Sequence, residues 1–451
     1  MIGATRRGTE FTLVVLAAVI TVAAYTLVNL GRNATLPANV GPFLALVLGL
    51  LLAPHLANRF LARGADAVLL PLAAMLNGIG YVFIARINHT LASKQAGWTV
   101  MGVIAYIVTL FVVKNANDLM KYKWTFATAG VGMLLLPFLP FIGRSHGGSR
   151  IWIHLGPFSF QPGEMAKVTL ALFFAGYLVE QRELLAQATW KVGPIYLPEP
   201  RHFGPVLVAW FMAIGIMTFQ KDLGSSMLFF TLFIVMVWIA TERTSYLVVG
   251  WGMFAIGAYI AWTQFAHVRT RVSIWLDPWA QAQGKGYQII QGLYAMAGGG
   301  TTGTGLGLGD PTRIPEVQND FIFAAIAEEL GLVGAAAILL AFILIIGAGL
   351  RIASRTDKPF EKLLAAGLTA ILGVQGFIII AGVTRVLPLT GVALPFVSYG
   401  GSSLLANYIL LALLMRISDS TARRLGEVKP STKKVPLPEV DLTQMIPLVD
   451  R

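Results

Sequence analysis

The chain has 451 residues and a net charge of +12, with 56% hydrophobic and only 12% charged residues. Water-soluble domains carry about 25% charged residues, so this composition excludes a soluble globular protein. The absence of cysteine excludes disulfides and thiolate metal sites, and the positive charge indicates basic cytoplasmic loops rather than a nucleic-acid partner.

Long apolar segments recur along nearly the whole chain. A span needs about 20 apolar residues to cross a bilayer, and lipid offers the backbone no hydrogen-bond partners, so each span must be a helix. We therefore predict an all-α polytopic membrane protein with about twelve transmembrane helices. The predicted spans lie at roughly 11–30, 40–57, 66–86, 96–113, 124–142, 163–180, 204–219, 224–240, 245–265, 323–350, 361–384 and 396–416.

The distribution of basic residues predicts the orientation of these spans. Most of the 34 Lys and Arg residues fall on one side if the N-terminus is cytoplasmic, which agrees with the positive-inside rule. An even number of spans then places both termini in the cytoplasm. Residues 418–451 mix charges with prolines and lack an apolar period, so we expect a transmembrane domain over 1–417 and a flexible cytoplasmic tail after it.

A long segment at about 266–320 is predicted to form a large outer loop. It contains two arginines, Arg269 and Arg271, followed by Asp277 between two tryptophans. Arginines bind phosphate oxygens, and a partly shielded carboxylate can accept a proton from a hydroxyl, so this pattern suits a pyrophosphate-linked substrate. A structural interpretation fits equally, in which Asp277 caps a short helix that has Pro278 in its first turn.

The glycine-rich stretch at 298–309 resembles a nucleotide-binding loop only superficially. It lacks the GK[ST] ending and a preceding strand, and it lies on the predicted outer side, away from cytosolic nucleotide. We instead predict a close-packed turn or a membrane-edge loop, in which glycines allow tight approach of the backbone.

Ionisable residues interrupt the apolar segments near their predicted outer ends. Charges at membrane depth are costly and usually mark a cavity or pathway, so we expect one outward-facing polar cavity there. Glu164 and Lys167 are three residues apart on one helix face, where a self-neutralising ion pair is an equal alternative. The others are Lys221, Asp222, Asp320, Glu328, Glu329 and Arg385.

Five ordered motifs resemble the SEDS family (shape, elongation, division and sporulation), which includes RodA and FtsW. The resemblance covers roughly 120–417, and several ordered motifs are far more specific than one. The motifs are Gly148-Ser149-Arg150-Ile151-Trp152, the stretch from Phe158 to Lys167, Gln220-Lys221-Asp222-Leu223-Gly224, the stretch from Asp320 to Gly331, and the stretch from Pro388 to Ser403.

The resemblance implies a ten-helix core with about two added N-terminal helices, and a peptidoglycan glycosyltransferase in the bacterial inner membrane. Such enzymes polymerise lipid II at the outer face, normally with a class B penicillin-binding protein. It implies Asp277 as the general base. No motif demands a cofactor, although oxygen ligands near the loop would permit Mg²⁺ or Mn²⁺. The candidate substrate-binding residues are Arg150, Glu164, Lys167, Lys221, Asp222, Arg269, Arg271, Asp320, Glu328, Ser398 and Ser402.

The chain departs from the SEDS motifs at three places. Lys221 stands where proline is usual, Arg385 stands where glycine is common, and Gln318-Asn319-Asp320 lacks a histidine often found there. The elongation type is favoured over the division type. Two other function classes fit the same features: a flippase or transporter for lipid-linked precursors, and a non-catalytic membrane scaffold for a transpeptidase.

Overall fold

The computed structural model describes residues 2–34, 40–146, 149–155, 158–186, 190–192, 195–197 and 200–427. The fold is a bundle of α-helices with two small antiparallel sheets. The helices are α1 Ile2–Asn33, α2 Val40–Leu61, α3 Leu69–Ile87, α4 His89–Val112, α5 Lys123–Leu135, α6 Pro162–Glu180, α7 Arg182–Ala186, α8 Pro200–Phe219, α9 Leu223–Thr241, α10 Ser245–Gln264, α11 Ala266–Leu276, α12 Tyr287–Gly299, α13 Ile322–Arg355, α14 Pro359–Val383 and α15 Gly401–Arg424. The strands are β1 Gly143–His146, β2 Ser149–Leu155, β3 Phe158–Phe160, β4 Trp190–Val192 and β5 Ile195–Leu197.

Each of the twelve predicted spans overlaps one of these helices. Among the described residues, nine helices are long and apolar enough to cross a membrane. The remaining three are α5, which has only 13 residues, α6, which carries two charges in its first turns, and α8, whose described apolar part is Trp210–Phe219. The prediction of an all-α polytopic membrane protein is confirmed.

The centre of the bundle is formed by α14 and α15. In α15, 89% of the span is buried by neighbouring helices, whereas in α10 only 11% is. The main packing pairs are α15 with α4, α5 with α6, α13 with α14, and α1 with α3. Helices α1, α2 and α10 therefore lie at the periphery, with most of their apolar side chains facing outward.

The two sheets were not predicted. Strand β2 pairs antiparallel with β1 and β3, and β4 pairs antiparallel with β5. The run Ile151-Trp152-Ile153 contains β-branched and aromatic residues of the kind that favour a strand, and it lies between two predicted spans. The sheets are short and leave the helical fold class unchanged.

The predicted tail boundary at 417 is too early. Helix α15 continues to Arg424, and Ser418 and Asp419 are buried. The Asp419 carboxylate accepts a hydrogen bond from the backbone N–H of Gly64 at 2.7 Å and forms an ion pair with Arg416 at 3.3 Å. These contacts hold the last two turns against the bundle, whereas 428–451 lie outside the described residues.

Candidate functional site

Asp277 lies at the carboxyl end of α11, in a segment that is largely helical rather than an extended loop. The carboxylate Oδ1 accepts hydrogen bonds from the backbone N–H groups of Trp279 at 3.1 Å and Ala280 at 3.3 Å, at the start of a 3-10 turn. The capping interpretation is therefore confirmed. The side chain is also exposed, and within the described residues no hydrogen bond engages Oδ2, so this oxygen can accept a substrate proton.

Arg271 lies six residues earlier on the same helix, about 9 Å along its axis. Its Nη1 donates to the carbonyl oxygens of Leu389 at 3.0 Å and Thr390 at 2.7 Å. Burial lowers the pKa of Arg271, and the negative charges of Asp222 and Asp320 oppose that effect. Arg271 remains a guanidinium cation on the helix that presents Asp277, with two carboxylates in electrostatic range.

Asp320 faces Arg271 across Gly391. A Cβ atom at Gly391 would lie 3.6 Å from Asp320 Oδ2 and 3.8 Å from Arg271 Nη2, and Gly391 itself has a φ of +76°. Burial raises the pKa of Asp320 to about 6, although the Arg271 charge opposes this rise. Because Gly391 has no side chain, the Asp320 carboxylate and the Arg271 guanidinium can both lie beside it.

Three further charges lie deeper. Glu164 and Lys167 form an ion pair at 2.7 Å, with side chains only 3% and 2% exposed, and Lys167 Nζ also donates to Gln375 Oε1 at 2.8 Å. Asp222 is buried, caps α9 by accepting from the Ser225 N–H at 3.0 Å, and lies in electrostatic range of both members of the pair. The predicted ion pair between Glu164 and Lys167 is therefore present in the structure.

We call Glu164, Lys167, Asp222, Arg271 and Asp320 the charged cluster. The structure brings these five predicted residues together from four separate parts of the chain. Its deep members are closed off from solvent, so the expected open polar cavity is found only as a partly exposed surface at Arg271 and Asp320. Lys221 is exposed beside it and adopts a left-handed φ of +60°.

Two residues near the charged cluster were not predicted. His267 Nε2 and Thr390 Oγ1 are buried and have no hydrogen-bond partner within the described part of the chain. Burial, followed by the charges of Arg271 and Lys221, lowers the pKa of His267. Its position four residues before Arg271 places it on the same helical face, a spacing that was readable from the sequence.

Three candidate residues lie apart from the charged cluster, and no contact among the described residues joins them to it. Arg150 Nε donates to the Pro137 carbonyl at 2.9 Å, and Arg269 Nη2 donates to the Thr263 carbonyl at 3.3 Å. Glu328 Oε1 accepts from the Asp310 N–H at 2.9 Å. The two arginines stabilise carbonyls at the ends of helical segments.

The two serine candidates connect chain segments. Ser398 Oγ donates to the Asn319 carbonyl at 2.6 Å, and Ser402 Oγ accepts from the Gln161 N–H at 2.8 Å. Both side chains are buried, at 4% and 2% exposure. Their hydrogen bonds hold the segments that carry Asp320 and Glu164 in place, so both serines act as positioning residues.

The glycine-rich stretch is a close-packed turn, as predicted. Gly303 has a φ of +86°, and a Cβ atom there would lie 2.2 Å from the Glu329 carbonyl oxygen. The Glu329 side chain is buried and pairs with Arg86 at 3.1 Å, and it also accepts from the Gly307 N–H at 2.8 Å. The glycines therefore allow the loop to fold over a buried carboxylate.

Within the described residues, no group of three or more acidic or histidine side chains is placed to hold a metal ion. A divalent cation at this site would have to take most of its ligands from a bound substrate, because Mg²⁺ is commonly held by one or two carboxylates plus substrate phosphates.

Comparisons with known proteins identify the family of this chain. Residues 64–423 match the cell cycle protein family of FtsW, RodA and SpoVE. The chain is 44% identical over 440 residues to the peptidoglycan glycosyltransferase RodA of Mycobacterium bovis, covering 95% of this chain and 94% of that one. It is 31% identical over 371 residues to a probable peptidoglycan glycosyltransferase FtsW of a Geobacter species, covering 79% of this chain and 97% of that one.

A solved chain from a study of how a peptidoglycan synthase complex coordinates polymerization and crosslinking has the same fold. The TM-score is 0.65 at 24% identity, over 79% of this chain and 98% of that chain. The family match begins just after α2 ends at Leu61, so α1 and α2 precede the part of the chain that the family model covers. The chain therefore belongs to the FtsW, RodA and SpoVE family of membrane proteins, and it is more similar to the RodA branch.

Proposed function

We propose that this peptidoglycan glycosyltransferase polymerises lipid II at the outer face of the bacterial cytoplasmic membrane. The main observation that supports this proposal is the exposed Asp277 carboxylate at the end of α11, with the Arg271 cation on the same helix. A base and a cation about 9 Å apart along one helix can act on the two ends of a glycosyl transfer.

In the proposed reaction, Asp277 takes the proton from the 4-hydroxyl of the acceptor GlcNAc. The oxygen then attacks C1 of the donor MurNAc, and the bond from C1 to the pyrophosphate oxygen breaks with inversion at C1. The electron pair leaves with undecaprenyl pyrophosphate. Arg271 is the cation placed to stabilise that leaving group, because pre-organised charge acts most strongly where charge develops.

A hydrogen-bonded Asp277 suits this role. Two backbone N–H groups on Oδ1 hold the carboxylate in one orientation and leave Oδ2 to face the substrate. Such orientation matters for the rate, because a displacement of about 1 Å can cost roughly 100-fold. The capping contacts and the catalytic role therefore support each other.

The two alternative functions receive less support. A transporter places its binding site near the membrane midplane, commonly between half-helices. Here the partly exposed Arg271 and Asp320 lie between the spanning helices α10 and α13, in the segment that also carries Asp277. A scaffold would not require an oriented, exposed carboxylate. We also propose a class B penicillin-binding protein as the partner, because the SEDS resemblance implies one and a similar fold occurs in a peptidoglycan synthase complex.

The test is polymerisation of lipid II by the purified protein, with and without a cognate transpeptidase, comparing wild type, Asp277→Asn and Asp277→Ala. Asparagine keeps the Oδ1 acceptor that caps the turn but cannot take the proton. We expect Asp277→Asn to fold normally and to lose about 10²–10⁴-fold in rate, the usual contribution of a general base.

The matched control is Asp310→Asn, the same chemical change at an exposed aspartate in the same segment. It should retain near wild-type activity. Full activity of Asp277→Asn would refute the general-base role. Absence of glycan chains from wild type, even with the transpeptidase present, would favour the flippase or the scaffold.

A further inference from the structure

Arg385 connects the end of α14 to the turn that carries Asp277. Its Nε donates to the Trp275 carbonyl at 2.8 Å, and its Nη2 donates to the Leu276 carbonyl at 2.7 Å. The Trp275 indole N–H donates back to the Arg385 carbonyl at 3.1 Å. The guanidinium also lies 5.1 Å from the centre of the Trp279 ring.

These contacts, which we call the Arg385 clamp, touch residues on both sides of Asp277. The two carbonyls belong to the last turn of α11, where helix carbonyls lack intrahelical partners and attract cations. No ion pair joins Arg385 to the Asp277 carboxylate among the described residues, so Arg385 orients the turn without neutralising the carboxylate.

The backbone of Arg385 indicates that its side chain is needed. Its φ is +62°, in the left-handed region that disfavours residues with a Cβ atom and favours glycine. Glycine is also common at this position in the SEDS motifs. An arginine held in a conformation suited to glycine requires compensating interactions, and the clamp supplies them.

We infer that Arg385 is a positioning residue that fixes Asp277 for proton abstraction. This inference rests on the proposed function, because it assigns Arg385 a role through the Asp277 base. A reacting group displaced by about 1 Å can lose roughly 100-fold in rate. Loss of the clamp should therefore slow the chemical step more than it weakens substrate binding.

The experiment compares wild type with Arg385→Gly and Arg385→Lys in three measurements. They are kcat and KM for lipid II polymerisation, hydrogen–deuterium exchange over 275–282, and the thermal unfolding midpoint. Arg385→Gly removes the guanidinium contacts of the clamp, keeps the carbonyl that accepts from Trp275, and relieves the left-handed strain, so the variant should fold at least as well as wild type. Arg313→Gly is the control, because Arg313 is an exposed arginine in the 266–320 segment that also carries Asp277, and it contacts Asp310 and not the Asp277 turn.

For Arg385→Gly we expect kcat to fall about 10- to 100-fold while KM changes little. We also expect faster exchange at the Trp279 and Ala280 amides and an unchanged or higher unfolding midpoint. Arg385→Lys, which keeps the charge but lacks the planar fork that spans two carbonyls, should fall between wild type and Arg385→Gly. Arg313→Gly should retain wild-type kinetics and exchange over 275–282.

Wild-type kcat and wild-type exchange in Arg385→Gly would overturn the inference, as would a loss of activity without faster exchange. A lower unfolding midpoint together with the loss of activity would assign Arg385 a general structural role instead. An inactive wild-type protein would refute the proposed function, whereas the exchange measurement would still report whether the clamp orders the Asp277 turn.

Discussion

The buried pair of Glu164 and Lys167 provides the sharpest test of how the charged cluster is stabilised. Lys167 Nζ donates to Glu164 at 2.7 Å and to Gln375 at 2.8 Å, and both charged side chains are almost fully buried. The Lys167→Met variant has a side chain of similar length but removes the cation. Glu164 then remains as a buried carboxylate without its counter-charge, which costs about 3–5 kcal/mol of folding free energy.

The double variant Glu164→Met with Lys167→Met removes both charges. Replacing a buried ion pair by hydrophobic groups of similar volume is often close to neutral for stability, so most of the loss in Lys167→Met should be recovered. Thermal unfolding in detergent, followed by light scattering and tryptophan fluorescence, gives the order of stability. The control is Lys94→Met, the same change at an exposed lysine of α4, which should leave the midpoint near wild type.

A double variant that is as unstable as Lys167→Met would refute this reasoning, because the cost would not come from the unpaired Glu164 charge. Polymerisation is measured on the same samples. If the double variant regains stability and activity, the pair is structural. If it regains stability but remains inactive, the pair contributes charge to the reaction as well.

Two further predictions concern Asp320 and metal binding. Because the pKa of Asp320 is about 6 in the folded protein and 3.8 ordinarily, the folded state binds more protons than the unfolded state between these pH values, and stability falls as pH rises through that window. The Asp320→Asn variant should lose this destabilisation, which is about 3 kcal/mol above pH 6. Its unfolding midpoint should therefore exceed that of wild type at pH 7–8 and converge with it below about pH 4. Equal midpoints at pH 7–8 would contradict a raised pKa for Asp320. Without substrate, we expect Mn²⁺ to bind with a dissociation constant no lower than roughly 1 mM, because the described residues include no cluster of three metal-ligating side chains. Electron paramagnetic resonance measures this binding, and a tighter site would refute the expectation.

Much of the architecture follows from the sequence. The apolar helices were predictable because hydropathy is a local property and a bilayer permits only helices across an apolar segment of that length. The capping role of Asp277 was equally local, since Asp-Pro at a helix start satisfies N–H groups within three residues. The tight turn at Gly303 followed from composition for the same reason.

The sequence was less informative where local signals compete. The strand β2 lies between two predicted spans, and its short alternating run gave no indication of pairing partners. The end of α15 was placed too early because Asp419 and its neighbours look polar in sequence. Their burial depends on the Gly64 and Arg416 contacts, which are made only when the helices assemble.

Tertiary packing alone decided which charges meet. Asp222, Arg271 and Asp320 come from distant parts of the chain, and nothing in their spacing indicates that Arg271 and Asp320 meet beside Gly391 with Asp222 in electrostatic range. The contacts of Arg385 were equally unpredictable from the sequence, because the carbonyls that it binds are about 110 residues away in the chain. Helices and caps follow from local sequence patterns, because they depend on the geometry of neighbouring residues. Long-range polar contacts depend on how the ends of the packed helices are aligned, and this alignment is established only in the folded bundle.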